Sequence, residues 1–225
     1  MSPRGILELM PMMSGMGDLG ELKEASGLGE EELLGLLRVL EGCGACRVEG
    51  NAVLFFDGAR IFAALEALKL GCSIEEVSRA LTWRDFEGFA SMILRKNGFE
   101  CFGDLRLKKP RVQIDVFAKR GGLGVAIDCK RWKRDPGPST MVRVARMQRR
   151  RVELLARSGR DELEGLEYVI PAILTIYESG FRLIEGIPII PIQKFQGFIS
   201  EFEGHLGELC LIKVPRTRGA SSDRS

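Results

Sequence analysis

Long apolar runs and a disulfide framework are both missing from this chain. No stretch of its 225 residues approaches the roughly 20 apolar residues that span a bilayer, and the first residues contain no secretory cleavage site. The six cysteines lack the spacing of a small disulfide-rich secreted domain. We therefore expect an intracellular, cytoplasmic protein without a membrane segment.

Histidine is nearly absent, which limits the metal chemistry available to the chain. His205 is the only histidine, and Cys43 and Cys46 form a CxxC with no second CxxC or HxxxH. Because structural zinc sites normally use four ligands, we expect these cysteines to be half-buried residues at a helix end. We expect His205 to be a surface residue.

The two parts of the chain differ in charge. Residues 1–82 carry 7 Lys/Arg against 13 Asp/Glu, a net charge of −6, whereas residues 83–225 carry 26 against 18, a net charge of +8. A polyanionic partner such as a nucleic acid would therefore meet the C-terminal part of the chain.

Residues 1–82 are expected to form a mainly helical domain like a winged helix-turn-helix, with connecting helices. The predicted elements are helices over residues 4–13, 19–25 and 30–41, a hairpin over 46–48 and 52–56, and connecting helices over 59–70 and 74–81. The third helix begins with three glutamates and is rich in leucine. This composition favours packing against another element, a second protomer or a partner protein over reading of DNA.

Residues 83–214 are expected to form a separate α/β domain, followed by a disordered tail over residues 215–225. The predicted elements are a helix over residues 83–97, strands over 99–107, 113–118 and 125–130, a helix over 139–157, strands over 171–176 and 187–192, and a helix over 195–206.

The two strands around Gly121-Gly122 contain an unusual pair of carboxylates. A tight type I′ turn at these glycines pairs Arg120 with Leu123 and places Asp115 opposite Asp128. Strand alternation puts these aspartates and Lys130 on one face. The other face is apolar, with Ile114, Val116, Val125, Ile127 and Cys129. Opposed carboxylates repel, so the pair predicts a bound divalent cation. The alternative is an ordinary solvated sheet face with one ion pair.

This order of elements resembles the PD-(D/E)XK nuclease superfamily. The likeness covers residues 84–206, and the run Ile127-Asp128-Cys129-Lys130-Arg131-Trp132 is most similar to Mrr-like restriction endonucleases and archaeal Holliday-junction resolvases. The resemblance implies a restriction endonuclease-like fold, a central mixed sheet flanked by helices.

The same resemblance implies roles for particular residues. Asp115 and Asp128 match the metal-binding carboxylates, and Lys130 matches the lysine of the motif. Glu87 matches the first-helix glutamate that binds metal directly or through water in many members, although a glutamate at the border of a helix face is also commonplace. The chain departs from the usual pattern at Ile114, where many members have proline. The implied cofactor is Mg²⁺ or Mn²⁺. Lys130 could orient the attacking water, act as a base or neutralise phosphate.

Gln148 is a polar residue in the middle of the apolar face predicted for the helix over 139–157. Several members of the superfamily have a glutamine facing the active site from this helix, so the resemblance makes Gln148 a candidate site residue. Alternatively, it bonds a carbonyl group at the end of a sheet strand.

Basic residues near the motif are the candidate phosphate contacts. Arg131, Lys133 and Arg134 follow Lys130 directly, and Trp132 between them is either a packing residue or a base-stacking one. A second basic stripe, Arg143, Arg146, Arg150 and Arg157, lies on the opposite side of the predicted helix from Gln148. That stripe is either a solvated face or a contact for nucleic acid or a partner protein.

Together these features predict a metal-dependent endonuclease that cuts duplex or branched DNA. The alternatives are a non-catalytic DNA-binding or regulatory protein on the same fold and a structure-specific or RNA-directed nuclease. A homodimer is also implied by the resemblance, because cutting a duplex requires two incisions.

Overall fold

The structure is a computed structural model, and it describes residues 3–130, 132, 136–176, 180 and 182–215. The chain divides into two compact units. The first unit comprises the described residues up to Met92 together with Trp132, and the second comprises Ile93–Lys130 and the described residues from Pro136 onward. The predicted tail, apart from Pro215, lies outside the described residues, and the predicted domain boundary at residue 82 stays a prediction. No helix in the described part of the chain is long and apolar enough to cross a membrane.

The described part of the first unit contains five complete α-helices, most of a sixth, and a small antiparallel sheet. The helices are α1 (Pro3–Leu9), α2 (Leu19–Ser26), α3 (Glu30–Gly42), α4 (Ala59–Lys69) and α5 (Ile74–Ala80), and the strands are β1 (Met16–Asp18), β2 (Cys46–Glu49) and β3 (Ala52–Phe55). The strand order is β1-β3-β2. The helix α6 (Trp83–Lys96) runs across the boundary between the units.

The first unit follows the predicted order of elements, with two differences. The α-helical part of the first predicted helix ends at Leu9 and becomes a 3₁₀ turn over Met10–Met12, because Pro11 cannot donate the next helical hydrogen bond. The strand β1 was not predicted, and its last residue, Asp18, caps α2 by accepting the Gly20 N–H at 2.7 Å. The comparison of this unit with winged helices stays a prediction.

The acidic helix α3 uses its leucines for internal packing. Leu33, Leu36, Leu37 and Leu40 are all buried. They form a stripe at helical spacing, as expected for a helix that packs against neighbouring elements.

The second unit is built on one mixed sheet. Its elements are β4 (Glu100–Leu107), β5 (Val112–Arg120), β6 (Leu123–Lys130), α7 (Pro138–Ala156), β7 (Tyr168–Thr175), β8 (Leu183–Ile184), β9 (Ile187–Pro191), α8 (Phe195–Glu201) and β10 (Ile212–Lys213). The strand order is β4-β5-β6-β7-β9-β8, with β10 paired to β7. The three strands β6, β7 and β9 run parallel, and the other pairings are antiparallel. The predicted fold class, a mixed sheet with helices, is confirmed.

The hairpin β5–β6 has the predicted register. Arg120 pairs with Leu123, and the pairing continues to Val116 with Ile127. The turn type differs from the prediction, because of the two turn glycines only Gly121 has a positive φ, of 57°. A positive φ at the first central residue alone is the pattern of a type II′ turn.

The pairing of β4 with β5 is interrupted at Asp104. The pairing runs to Gly103 with Val116 and resumes in the same register at Leu105 with Ile114. Asp104, between the two paired stretches, has a φ of 40°. Ile114 and Phe117 of β5 both belong to the core cluster that includes Val152 of α7.

Candidate active site

The two predicted carboxylates lie where the pairing of β5 and β6 stops. Asp115 and Asp128 each come one residue beyond the last paired residues, Val116 and Ile127. There Asp115 Oδ2 accepts a hydrogen bond from the backbone N–H of Cys129 at 2.8 Å. The Asp115 side chain is therefore held against the residue that follows Asp128.

Asp128 is a buried carboxylate with two cationic partners. Only 4% of the residue is exposed. Lys130 Nζ lies 2.8 Å from Oδ1 and 2.7 Å from Oδ2, and Arg151 Nη1 lies 3.0 Å from Oδ1. Burying a charged carboxylate without such partners would strongly destabilise the folded protein. The two cations therefore explain how Asp128 can be buried.

The surroundings of Asp115 disfavour the charged form of its carboxyl group. Burial raises the pKa of the Asp115 carboxyl, the Cys129 N–H opposes that rise, and the charge of Asp128 adds to it. Lys130 and Arg151 have smaller, lowering effects on the same pKa. The two aspartates, Lys130 and Arg151 thus act on one another electrostatically.

Gln148 lies in α7 above the strand that carries Asp128. It is fully buried, and its Nε2 donates to the backbone carbonyl of Ala126 at 2.9 Å. Its Oε1 has no hydrogen-bond partner among the described residues. The structure therefore shows the sheet-carbonyl bond that was one of the two interpretations of Gln148. A direct role in the site stays a prediction.

Arg151 is the site residue that the sequence analysis missed. It follows Gln148 by three residues, so both point to the same side of α7. That spacing was the available indication, but Arg151 lies in a run of three arginines whose neighbours point elsewhere. In the stripe predicted on the other side, Arg146 pairs with Glu185 at 2.6 Å, and Arg150 approaches Glu153 at 3.7 Å.

The remaining candidates lie in the first unit or outside the described residues. Glu87 lies in α6 within the first unit, whereas Asp115 and Asp128 lie in the second, and its role as a metal ligand stays a prediction. The three predicted phosphate contacts, Arg131, Lys133 and Arg134, lie outside the described residues. Trp132 is half-buried.

The CxxC cysteines have different environments. Cys43 is half-buried, whereas Cys46 is buried, contrary to the expectation that both would be half-buried. Burial raises the pKa of the Cys46 thiol to about 11. A thiol with such a pKa stays protonated at neutral pH in the metal-free protein.

The two carboxylates of Asp115 and Asp128 suit Mg²⁺ better than a metal ion that takes all its ligands from the protein. Among the residues described, no group of three or more His, Cys, Asp or Glu side chains could hold a metal ion. Mg²⁺ is commonly held by one or two carboxylates and keeps other positions for water and substrate phosphates. Two adjacent, partly desolvated carboxylates match that mode of binding.

Comparison with protein families places this site within a known domain. Residues 78–156 match the family model of the Mrr catalytic domain, described as a restriction endonuclease. The matched segment includes Asp115, Asp128, Lys130 and Arg151. The match covers about a third of the chain, and it is this segment that is similar to restriction endonucleases.

Other similar proteins add little about function. An uncharacterized protein of Archaeoglobus fulgidus is 26% identical over 132 residues, which is 57% of this chain and 97% of that protein. Protein VC1899 from Vibrio cholerae aligns over 92% of this chain with 13% identity and a TM-score of 0.36. The restriction endonuclease FokI aligns over 94% with 11% identity and a TM-score of 0.38. The chain spans about half the length of these two solved structures.

Proposed function

We propose that this protein is a divalent-metal-dependent endonuclease that hydrolyses phosphodiester bonds in DNA. The observation that carries the proposal is the meeting of Asp115 and Asp128, with Lys130 on Asp128, inside the segment that matches the restriction endonuclease family. Mg²⁺ or Mn²⁺ would be held by the two aspartates.

The charges of these residues suit phosphodiester hydrolysis. A divalent cation bound here would neutralise phosphate and the charge that develops on the leaving oxygen. Lys130 presents a donor beside the carboxylates, where it can bind a phosphate oxygen or orient the attacking water. Asp115, whose pKa is raised, binds a cation in competition with protons. Glu87 is proposed as a further carboxylate, and Gln148 as a residue that fixes α7 over β6.

A nucleic-acid substrate, for which we propose DNA, is favoured by the charge of the C-terminal part of the chain. Residues 83–225 have a net charge of +8, and Arg131, Lys133 and Arg134 follow the catalytic strand directly. Cationic side chains near the cleavage site position a nucleic acid through its phosphates. The first unit is proposed to bind a partner protein or a second copy of the chain.

A second candidate is a nucleic-acid-binding protein without catalysis. The observation in its favour is that Lys130 and Arg151 already neutralise Asp128, so a metal is not needed to compensate that buried charge. This candidate predicts binding of nucleic acid without metal-dependent cleavage.

One experiment separates the two candidates. Purified protein is incubated with plasmid, a branched DNA junction, single-stranded DNA and RNA, each with Mg²⁺, with Mn²⁺ and with EDTA. We expect cleavage of DNA that requires the metal and that falls by about 100-fold or more in Asp128→Asn. Glu153→Gln, which removes a carboxylate from α7 outside the site, is the control and should stay active. Absence of cleavage on every substrate, or full activity in Asp128→Asn, rules out the endonuclease.

A further inference from the structure

Arg151 and a divalent cation compete for the same carboxylate. Both oxygens of Asp128 already lie beside cations: Lys130 contacts Oδ1 and Oδ2, and Arg151 contacts Oδ1. Two aspartates, one lysine and one arginine make the cluster neutral. A divalent ion added to this cluster leaves two uncompensated positive charges in a poorly solvated place, where like charges repel strongly.

Of the two cations, Arg151 is the one able to leave. Lys130 is two residues from Asp128 on the same strand, so strand geometry keeps its stem beside the carboxylate. Arg151 reaches across from α7, and 31% of its side chain is exposed. A long side chain with access to solvent can change partner without moving the helix.

The released guanidinium has a natural new partner. A phosphodiester group at the site carries a negative charge, and arginine binds phosphate through paired donors. Phosphate also restores the charge balance that the divalent ion disturbs. The exchange of one carboxylate for one phosphate keeps Arg151 neutralised in both states.

We propose that Arg151 is a movable counter-ion, which holds Asp128 in the metal-free protein and transfers to a phosphate of the nucleic acid when a divalent cation binds. This inference rests on the proposed function, since it requires a metal at Asp128. It makes metal and nucleic acid favour each other's binding, because each removes a cost that the other would meet alone.

The first test measures Mn²⁺ binding without nucleic acid, by calorimetric titration of the full-length protein. Arg151→Gln should bind Mn²⁺ about tenfold more tightly than the wild type, because a competing positive charge is gone. Arg150→Gln removes the same charge from the next position of α7 and should change the affinity by less than about twofold. Arg151→Lys keeps the charge and should stay within about threefold of the wild type. Arg151→Met is a second neutral variant with a long apolar stem.

The second test measures the salt dependence of binding to a short DNA duplex, in EDTA and in Ca²⁺. In Ca²⁺, Arg151→Gln should make the negative slope of log affinity against log salt less steep by about 0.9, the value for one lost phosphate contact. In EDTA the slope should match that of the wild type, since Arg151 is then on Asp128. Arg150→Gln should show no such difference between the two conditions.

The outcomes separate this inference from the proposed function. Equal Mn²⁺ affinity in the wild type and in both neutral variants of Arg151, with binding abolished by Asp128→Asn, would overturn the movable counter-ion and leave the metal site standing. A slope change of the same size in EDTA and in Ca²⁺ would also overturn it. Mn²⁺ binding that Asp128→Asn leaves unchanged would overturn the proposed metal site and this inference with it.

Discussion

The hairpins β2–β3 and β5–β6 both turn at glycine, but they lie in different surroundings. In β2–β3 buried and exposed positions alternate, and Leu54 is 44% exposed. In β5–β6 the central residues are buried on both faces, and even Asp128 is buried. An ionisable side chain on the first hairpin is solvated and costs little, whereas one in the second needs specific partners. Carboxylates in the buried hairpin are therefore the more informative about function.

The largest expected difference between the hairpins comes from truncating a buried apolar side chain in β5–β6 and an exposed one in β2–β3. Phe117 of β5 is fully buried, so Phe117→Ala should lower the free energy of unfolding of the second unit by about 3–5 kcal/mol. Leu54→Ala in β3 should cost less than about 1 kcal/mol, because the side chain is already largely solvated. Denaturant titration followed by hydrogen exchange of each hairpin measures the two effects separately. Similar costs would mean that the contrast in packing is wrong.

A smaller effect is expected from the glycines. A Cβ at Gly124 of β6 would meet Leu166 at 3.0 Å, and Phe117 and Val169 at 3.2 Å, so Gly124→Val should cost about 1–3 kcal/mol by overpacking. At Gly50, in the turn of β2–β3, a Cβ meets nothing within 4 Å, but φ is 60°. Gly50→Ala should therefore cost only about 1 kcal/mol, from the backbone. A Gly124→Val protein as stable as the wild type would contradict the close packing of this strand.

The two hairpins also show what a sequence can and cannot predict about this site. The register of β5–β6 was predictable because a two-residue glycine turn fixes which residues face each other. The contact of Arg151 with Asp128 was not, since it depends on how α7 lies on the sheet. The interruption of the β4–β5 pairing at Asp104, where φ is 40°, is not contained in any periodic pattern. The short strands β1, β8 and β10 were missed because strands of two or three residues are defined by their partners.

The pKa shifts of two carboxyls provide the most delicate comparison. Burial raises the pKa of Asp115 beside β6. In the first unit, the backbone N–H and hydroxyl of Ser73 lower the pKa of Glu76, which completes the capping box of α5. The two groups should therefore affect stability with opposite dependence on pH.

For Asp115 the raised pKa means that ionisation opposes folding. In EDTA, the stability of the wild type relative to Asp115→Asn should fall as the pH rises from below the ordinary value of 3.8 through the raised folded pKa. Glu76 has the reverse sign, so the wild type should gain stability relative to Glu76→Gln as the pH rises through the lowered folded pKa towards 4.5. Denaturant midpoints of the wild type and the two variants are measured at about eight pH values between pH 3 and pH 7. The change of each midpoint difference with pH gives the sign of the two effects.

Adding Mg²⁺ at neutral pH should stabilise the wild type and not Asp115→Asn, because only the ionised carboxylate binds the cation. If Asp115→Asn loses stability relative to the wild type as the pH rises in EDTA, then the Cys129 N–H, Lys130 and Arg151 outweigh the effect of burial, and the pKa of Asp115 is not raised by folding.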